Sequence, residues 1–170
     1  MIEVHSKALN ETIEVDRFIG KIDNGRKGPT VIFFGGIHGN ECAGVFALKQ
    51  VFENLDESRV NGTIYGITGN LRALKVGQRF INADLNRIWT EVTLATLASR
   101  PDRNAEEEEQ IELYEILKEI LDTHEPPFYF MDLHTTSSRS LPFITINDAF
   151  INRKFSQQFP VPVVLGIEEY

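Results

Sequence analysis

Two short stretches of this chain combine residue types that bind divalent metals. In Phe34-Gly35-Gly36-Ile37-His38-Gly39-Asn40-Glu41 an imidazole and a carboxylate stand three residues apart. One tight turn can aim both at a single point, and zinc accepts both ligand types at about 2.0–2.2 Å. Gly35, Gly36 and Gly39 permit backbone paths that a Cβ would resist. Two other uses of the same residues stay open. His38 could be a hydrogen-bonded loop histidine, with Glu41 at a helix N-terminus where the dipole favours an anion. The glycines could instead cradle a phosphate, although the loop lacks the Gly-Lys-Ser/Thr ending of a phosphate-binding loop.

The second stretch is Met131-Asp132-Leu133-His134-Thr135-Thr136. Strand alternation puts Asp132 and His134 on one side, where a carboxylate can orient a neighbouring metal ligand. A satisfied pair capping a loop is the bland alternative. His134 as a third zinc ligand, beside His38 and Glu41, accounts for both stretches together. Two histidines and one carboxylate leave a coordination position for water, as in catalytic zinc sites. The lone cysteine, Cys42, excludes a structural thiolate site.

A third group, Arg79-Phe80-Ile81-Asn82-Ala83-Asp84-Leu85-Asn86-Arg87, falls between the first two. Arginine grips carboxylates by two parallel charge-assisted hydrogen bonds. Arg87 with Asn86 could therefore hold a substrate carboxylate, and Arg79 could polarise a carbonyl and stabilise its oxyanion. Equally, arginines in an acidic protein can simply balance carboxylates. Trp89 and Phe80 flank this segment and are expected to anchor it. The run Glu106-Glu107-Glu108-Glu109 reads as a solvated helix start complementing the dipole. His5, His124 and Cys42 read as structural, and no Gly-x-Ser-x-Gly elbow is present to support a serine hydrolase.

The elements that must position these residues follow from periodicity. Residues 12–15 and 18–22 read as short strands. Thr30 to Phe34 is a continuous apolar run, as in a strand covered on both faces. A helix is expected from near Glu41 to about Leu55, with Val45, Leu48, Val51, Phe52 and Leu55 at helical spacing. Residues 60–68 form a second core strand, and Gly69 to Asp102 lacks periodicity and reads as a long functional loop. Residues 104–123 form a helix with an apolar stripe of Ile111, Tyr114, Leu117, Ile120 and Leu121, ended by Pro126-Pro127. Strands follow at 128–131, 143–146 and 161–167, with a short helix at 149–159. Alternating strands and helices imply one α/β domain over residues 1–170, with a mixed, mostly parallel sheet and helices on both faces. The sequence stops at Gly166-Ile167-Glu168-Glu169-Tyr170, directly after a strand with no covering helix, so a C-terminally truncated domain is expected.

Composition bounds the setting. The chain has 170 residues, 42% hydrophobic and 25% charged, with a formal net charge of -8. An acidic field argues against nucleic acid or an anionic membrane surface as partner. One cysteine, no apolar leader and no apolar run long enough to span a bilayer point to a cytoplasmic protein. The oligomeric state is not readable.

Jointly, Gly35 to Glu41, Asn82 to Arg87 and Asp132 to Thr136 resemble the succinylglutamate desuccinylase/aspartoacylase family, a branch of the zinc carboxypeptidase-like hydrolases. Asn70-Leu71-Arg72-Ala73 is similar to that family's Asn-Pro-Arg-Ala stretch. The resemblance implies one Zn2+ per chain held by His38, Glu41 and His134. It further implies Arg79 as the residue that polarises the scissile carbonyl, and Asn86 and Arg87 on the substrate carboxylate. The implied activity is hydrolysis of the amide bond of a small N-acyl amino acid. A carboxypeptidase acting on peptide C-termini and a non-catalytic zinc- or carboxylate-binding module are the alternatives. The family's general-base glutamate lies in a Gly-apolar-Glu-x-Gly setting. Gly166-Ile167-Glu168 matches only its first half, so the base is expected beyond Tyr170, together with the family's C-terminal β-rich domain.

Overall fold

β-Branched and aromatic residues crowd the stretch from Thr30 to Phe34, and such a run pairs best where both of its edges and both of its faces are covered. The computed structural model describes residues 1–166 and bears this out. Along the chain come β1 (Ile2–Ser6), β2 (Glu11–Val15), β3 (Phe18–Asp23), β4 (Thr30–Gly35), α1 (Ala43–Asn54), β5 (Thr63–Thr68), α2 (Leu71–Val76), α3 (Glu91–Ser99) and α4 (Ala105–Thr123). They are followed by β6 (Phe128–Leu133), β7 (Ile144–Ile146), α5 (Phe150–Ser156) and β8 (Val163–Leu165). The main sheet has the order β3-β5-β4-β6. β4 is parallel to both neighbours, pairing Phe34 with Ile67 and with Asp132, whereas β3 runs antiparallel to β5. Parallel pairing aligns the C-terminal ends of β4, β5 and β6, where ligands bind in open α/β sheets.

Helices cover both faces. On one, Leu113 and Ile120 of α4 pack with Ile32, Tyr65 and Ile67 of the sheet and with Ile37 and Leu85. On the other, the Phe52 ring of α1 lies so close to Gly66 that a Cβ there would meet it at 2.4 Å. Beside α1, Val45 and Phe46 pack with Leu74 and with Val4, Ile13 and Val15 of the β1–β2 hairpin. Ile32 and Ile67 are fully buried, so truncating either to Ala is expected to cost about 2–5 kcal/mol.

Four sequence expectations change. β1 is an additional strand, with only Val4 and Ser6 buried. The segment 69–102 is not a bare loop, for it contains α2, a 3-10 turn at Leu85–Arg87 and α3. On α1, Val51 is exposed, and the buried side is Gly44, Val45, Phe46 and Leu48. On α4, Tyr114 and Leu121 are exposed, and the buried side is Glu106, Glu109, Gln110, Leu113 and Ile120. That side still follows helical spacing, but its first half is polar.

By internal contacts the chain divides into two units, Met1–Thr135 and Thr136 onward. In the second, β7 and β8 pair in parallel across α5 as a separate two-stranded sheet. The last expected strand ends at Leu165, and Ile167 and Glu168 lie outside the described residues. Among the described residues no helix is long and apolar enough to cross a membrane.

Candidate metal centre

β4 ends at Gly35, and Gly36 takes a φ of +74°, a left-handed turn that residues with a Cβ rarely adopt. Gly39 lies against α2 so closely that a Cβ would fall 2.1 Å from the Ala73 carbonyl carbon. These two glycines let the loop double back between strand and helix, burying His38 and Glu41 at the strand end. The Glu41 N–H donates to the His38 carbonyl at 3.0 Å, closing the turn between them. β6, in parallel register with β4, delivers His134 to the same edge.

The three side chains converge. Their ligand atoms lie within 4.8 Å of one another. His38 Nδ1 is 3.0 Å from Glu41 Oε1 and His134 Nδ1 is 3.1 Å from Glu41 Oε2, with the imidazole centroids 4.9 Å apart. Each histidine then places Nε2 against a second carboxylate: His38 on Asp84 at 3.0 Å, His134 on Asp132 at 2.6 Å. Carboxylates behind metal-ligating imidazoles fix ring orientation and raise ligand basicity. His38 and Glu41 are buried while His134 opens to solvent, so the site is reachable from one side.

Electrostatics reinforce the picture. Burial pushes the Glu41 carboxyl up, but the Thr135 N–H at 2.8 Å and the two histidines outweigh it, and its pKa lies below the usual carboxylate range. For Asp84 burial is likewise outweighed, here by His38 and Arg79, and its pKa is also lowered. The hydrogen bond to Asp132 is the main cause lifting His134 to about 9, aided by Glu41. Ionised carboxylates gathered around two imidazoles suit a divalent cation, and nitrogen and oxygen donors of this kind suit zinc.

The arginine segment reaches this centre. Arg79 spans two of its carboxylates, Nη1 donating to Glu41 Oε1 at 3.3 Å and Nη2 to Asp84 Oδ2 at 3.1 Å. Asn86 Nδ2 lies 3.2 Å from His134 Nε2. Arg87 follows on the same 3-10 turn and is exposed. Trp89 packs against the core as expected, whereas Phe80 is 38% exposed and belongs to neither core cluster. Asp84, part of the quoted motif yet assigned no role there, is the residue that ties His38, Arg79 and the Asn86 N–H together.

The solvated reading of the glutamate run fails for two of its four residues. Glu107 forms a capping box with Asn104, and Glu108 lies half-exposed in the same first turn. Glu106 and Glu109 are fully buried. Glu106 receives the N–H groups of Ile81, Asn82 and Ala83, and Glu109 pairs with Arg17 and Arg72. No local signal separates these glutamates from their neighbours; the helical spacing of 106, 109, 110 and 113 is the only hint.

The chain is similar to known proteins over much of its length. The family model of the succinylglutamate desuccinylase/aspartoacylase catalytic domain matches residues 27–168. A probable aspartoacylase of Acaryochloris marina (strain MBIC 11017) is 34% identical over 122 residues, 69% of this chain and 39% of that protein. A succinylglutamate desuccinylase of Yersinia enterocolitica is 36% identical over 62 residues, 35% of this chain and 19% of that protein. The crystal structure of succinylglutamate desuccinylase from Vibrio cholerae shares the fold, with a TM-score of 0.63 at 21% identity over 86% of this chain and 44% of that one. The chain thus spans less than half the length of each of these relatives. With the His38–Glu41 turn, the Asn82–Arg87 segment and the Asp132–Thr136 strand end all inside the matched residues, the chain belongs to the succinylglutamate desuccinylase/aspartoacylase family.

Proposed function

We propose that this chain carries the metal and substrate-gripping residues of a zinc-dependent amidohydrolase that cleaves the amide bond of an N-acyl amino acid. One observation carries the reading: two histidines turn Nδ1 toward opposite oxygens of the Glu41 carboxylate, and Arg79 contacts that same carboxylate. His38, Glu41 and His134 would hold one zinc ion, with Asp84 and Asp132 behind the imidazoles. Bound there, zinc would supply a water of lowered pKa and a polarised carbonyl.

The protein's own groups supply the rest. Arg79, fixed by Glu41 and Asp84, would meet the negative charge that develops on the scissile carbonyl oxygen, a task for a preorganised donor. Asn86 and Arg87 would grip the substrate carboxylate and so place the amide at the open side of the centre. Glu168, which matches half of the family's general-base setting, lies outside the described residues. The single cysteine supports a reducing, cytoplasmic compartment.

Metal analysis and turnover test the reading. The purified chain is expected to bind about one zinc with three protein ligands, and His134→Ala to lose it. Unchanged zinc affinity in that variant would refute the ligand set. Release of amino acid from N-acetylaspartate or N-succinylglutamate supports the deacylase. Cleavage of short peptides alone would favour a carboxypeptidase, and ligand binding with no turnover in the longest natural form would favour a binding module.

A further inference from the structure

The segment from Gln78 to Asn82 is exposed at every position, and none of its side chains belongs to a core cluster. Yet Arg79 at its start, and Asp84 and Asn86 just beyond its end, reach the metal centre with ordinary hydrogen-bond geometry. Something must fix the backbone between them.

That something is a buried carboxylate on α4. Oε1 of Glu106 accepts from the Ile81 N–H at 2.7 Å, and Oε2 from the N–H groups of Asn82 at 2.8 Å and Ala83 at 3.2 Å. Asn70 Nδ2 donates to Oε1 at 3.0 Å. All four donors are neutral, although a buried charge is costly unless well satisfied. Three consecutive amides converging on one anion form a concave backbone nest. The lock is reciprocal, because Asn82 Oδ1 accepts from the Ala105 N–H at 3.2 Å in the first turn of α4. It also reaches the metal loop. Fully buried Asn70 donates its own N–H to the Gly36 carbonyl at 2.9 Å, and the Gly39 N–H donates to the Arg79 carbonyl at 3.2 Å.

We propose that Glu106 is a positioning residue for this site: by receiving the amides of Ile81, Asn82 and Ala83 it holds the loop that presents Arg79, Asp84, Asn86 and Arg87. The part concerning substrate grip rests on the function proposed above. Glutamine at 106 is nearly isosteric but replaces one acceptor oxygen with an NH2 facing backbone donors. Aspartate keeps the charge and shortens the reach.

Amide hydrogen exchange and ligand binding on the zinc-loaded chain test this. In Glu106→Gln, exchange at Ile81, Asn82 and Ala83 is expected to accelerate by about tenfold or more, hydrogen bonds to a charged acceptor being the stronger kind. Amides of β5 and the C-terminal half of α4 stay protected. Zinc stoichiometry is retained, affinity for N-acetylaspartate and N-succinylglutamate falls by about tenfold or more, one or two such bonds' worth, and Glu106→Asp recovers part of both losses. Unchanged exchange at 81–83, or unchanged ligand affinity despite faster exchange, would overturn the proposal. If the wild-type chain holds zinc but binds neither ligand, the proposed substrate falls, and the exchange result alone decides the role of Glu106. If Glu106→Gln does not fold, the wild-type chain decides: amides 81–83 must be protected although their side chains are exposed, and free exchange there refutes the clamp.

Discussion

Asp132 Oδ2 lies 2.6 Å from Nε2 of His134, the shortest approach of a carboxylate to either histidine of the centre. This contact keeps His134 a cation to about pH 9, so zinc must displace a proton to bind. Apparent zinc affinity should therefore rise with pH toward 9, since metal ligands must be deprotonated. His134 should contribute about one released proton at pH 7. Titration calorimetry in buffers of different ionisation enthalpy measures that release. Buffer-independent heats would contradict it. In the metal-free chain the sign is opposite: the stabilisation from charged His134 is complete below about 6.5 and is lost as pH rises through 9.

Asp84 links the metal loop to the arginine segment, contacting His38 Nε2 at 3.0 Å and Arg79 Nη2 at 3.1 Å. Asp84→Asn keeps the shape but removes the charge that steadies both. Zinc affinity should drop by about 10–100-fold, the usual loss when a carboxylate behind a histidine ligand is removed. Competition against a chelator of known affinity gives the number. A change below about twofold would show that Asp84 is not needed to orient His38.

Arg79 and Arg87 should fail differently. Arg79 touches the carboxylates of the centre, whereas Arg87 sits exposed on the following turn. In a zinc-loaded form that turns over N-acyl amino acids, Arg79→Ala should lower kcat by about 10²–10³-fold, as for loss of an oxyanion donor. Arg87→Ala should act mainly on KM, because uniform binding is what it provides. Steady-state kinetics with one N-acyl amino acid separates the two patterns, and a shared pattern would remove the division of labour.

The sequence made the convergence of His38, Glu41 and His134 legible because its cues are local. His38 and Glu41 share one turn after an apolar strand, and His134 ends another such strand, so strand-end geometry relates them. What stayed hidden depends on distant partners. Glu106 and Glu109 stand among four identical letters, and acidic residues in a first helical turn ordinarily face water. Only Ile81 to Ala83, Arg72 and Arg17 reveal that two of the four turn inward. Their burial also rotates the inner face of α4 away from Tyr114 and Leu121. Phe80, beside the same segment, lies outside both core clusters, and the backbone that follows it is received by the Glu106 carboxylate.

Acid should loosen these hidden ties. Burial pushes Glu106 and Glu112 up, but backbone amides from the 81–83 loop together with Asn70 for the first, and Arg17 and Arg72 for the second, hold both below 4.5. Their contribution is therefore complete above about 4.5 and is lost as pH falls through the depressed folded values. The urea midpoint of the metal-free chain should fall between pH 7 and pH 4. In Glu112→Gln the fall should be smaller, and an equal fall would assign the acid sensitivity to other groups.

Glu109 should matter more to stability than any exposed ion pair. Its fully buried carboxylate meets Arg17, the Arg72 N–H at 3.0 Å and Arg72 Nη1 at 2.7 Å. Arg17 also donates to the Thr68 carbonyl at 2.7 Å, tying the end of β5 to α4. Removing the acid alone would leave Arg17 and Arg72 sharing the more exposed Glu112, and breaking a buried pair from one side costs about 3–5 kcal/mol. Glu109→Ala should lose roughly that much by urea denaturation, while Glu53→Ala, whose ion pair with Lys49 spans 3.9 Å at the surface, should lose less than about 1 kcal/mol. Replacing Arg17 and Glu109 together by Met and Leu should recover much of the loss, because no charge is then left unpaired. A double variant as unstable as Glu109→Ala would show that the geometry of this cluster, not its charge balance, is what the fold requires.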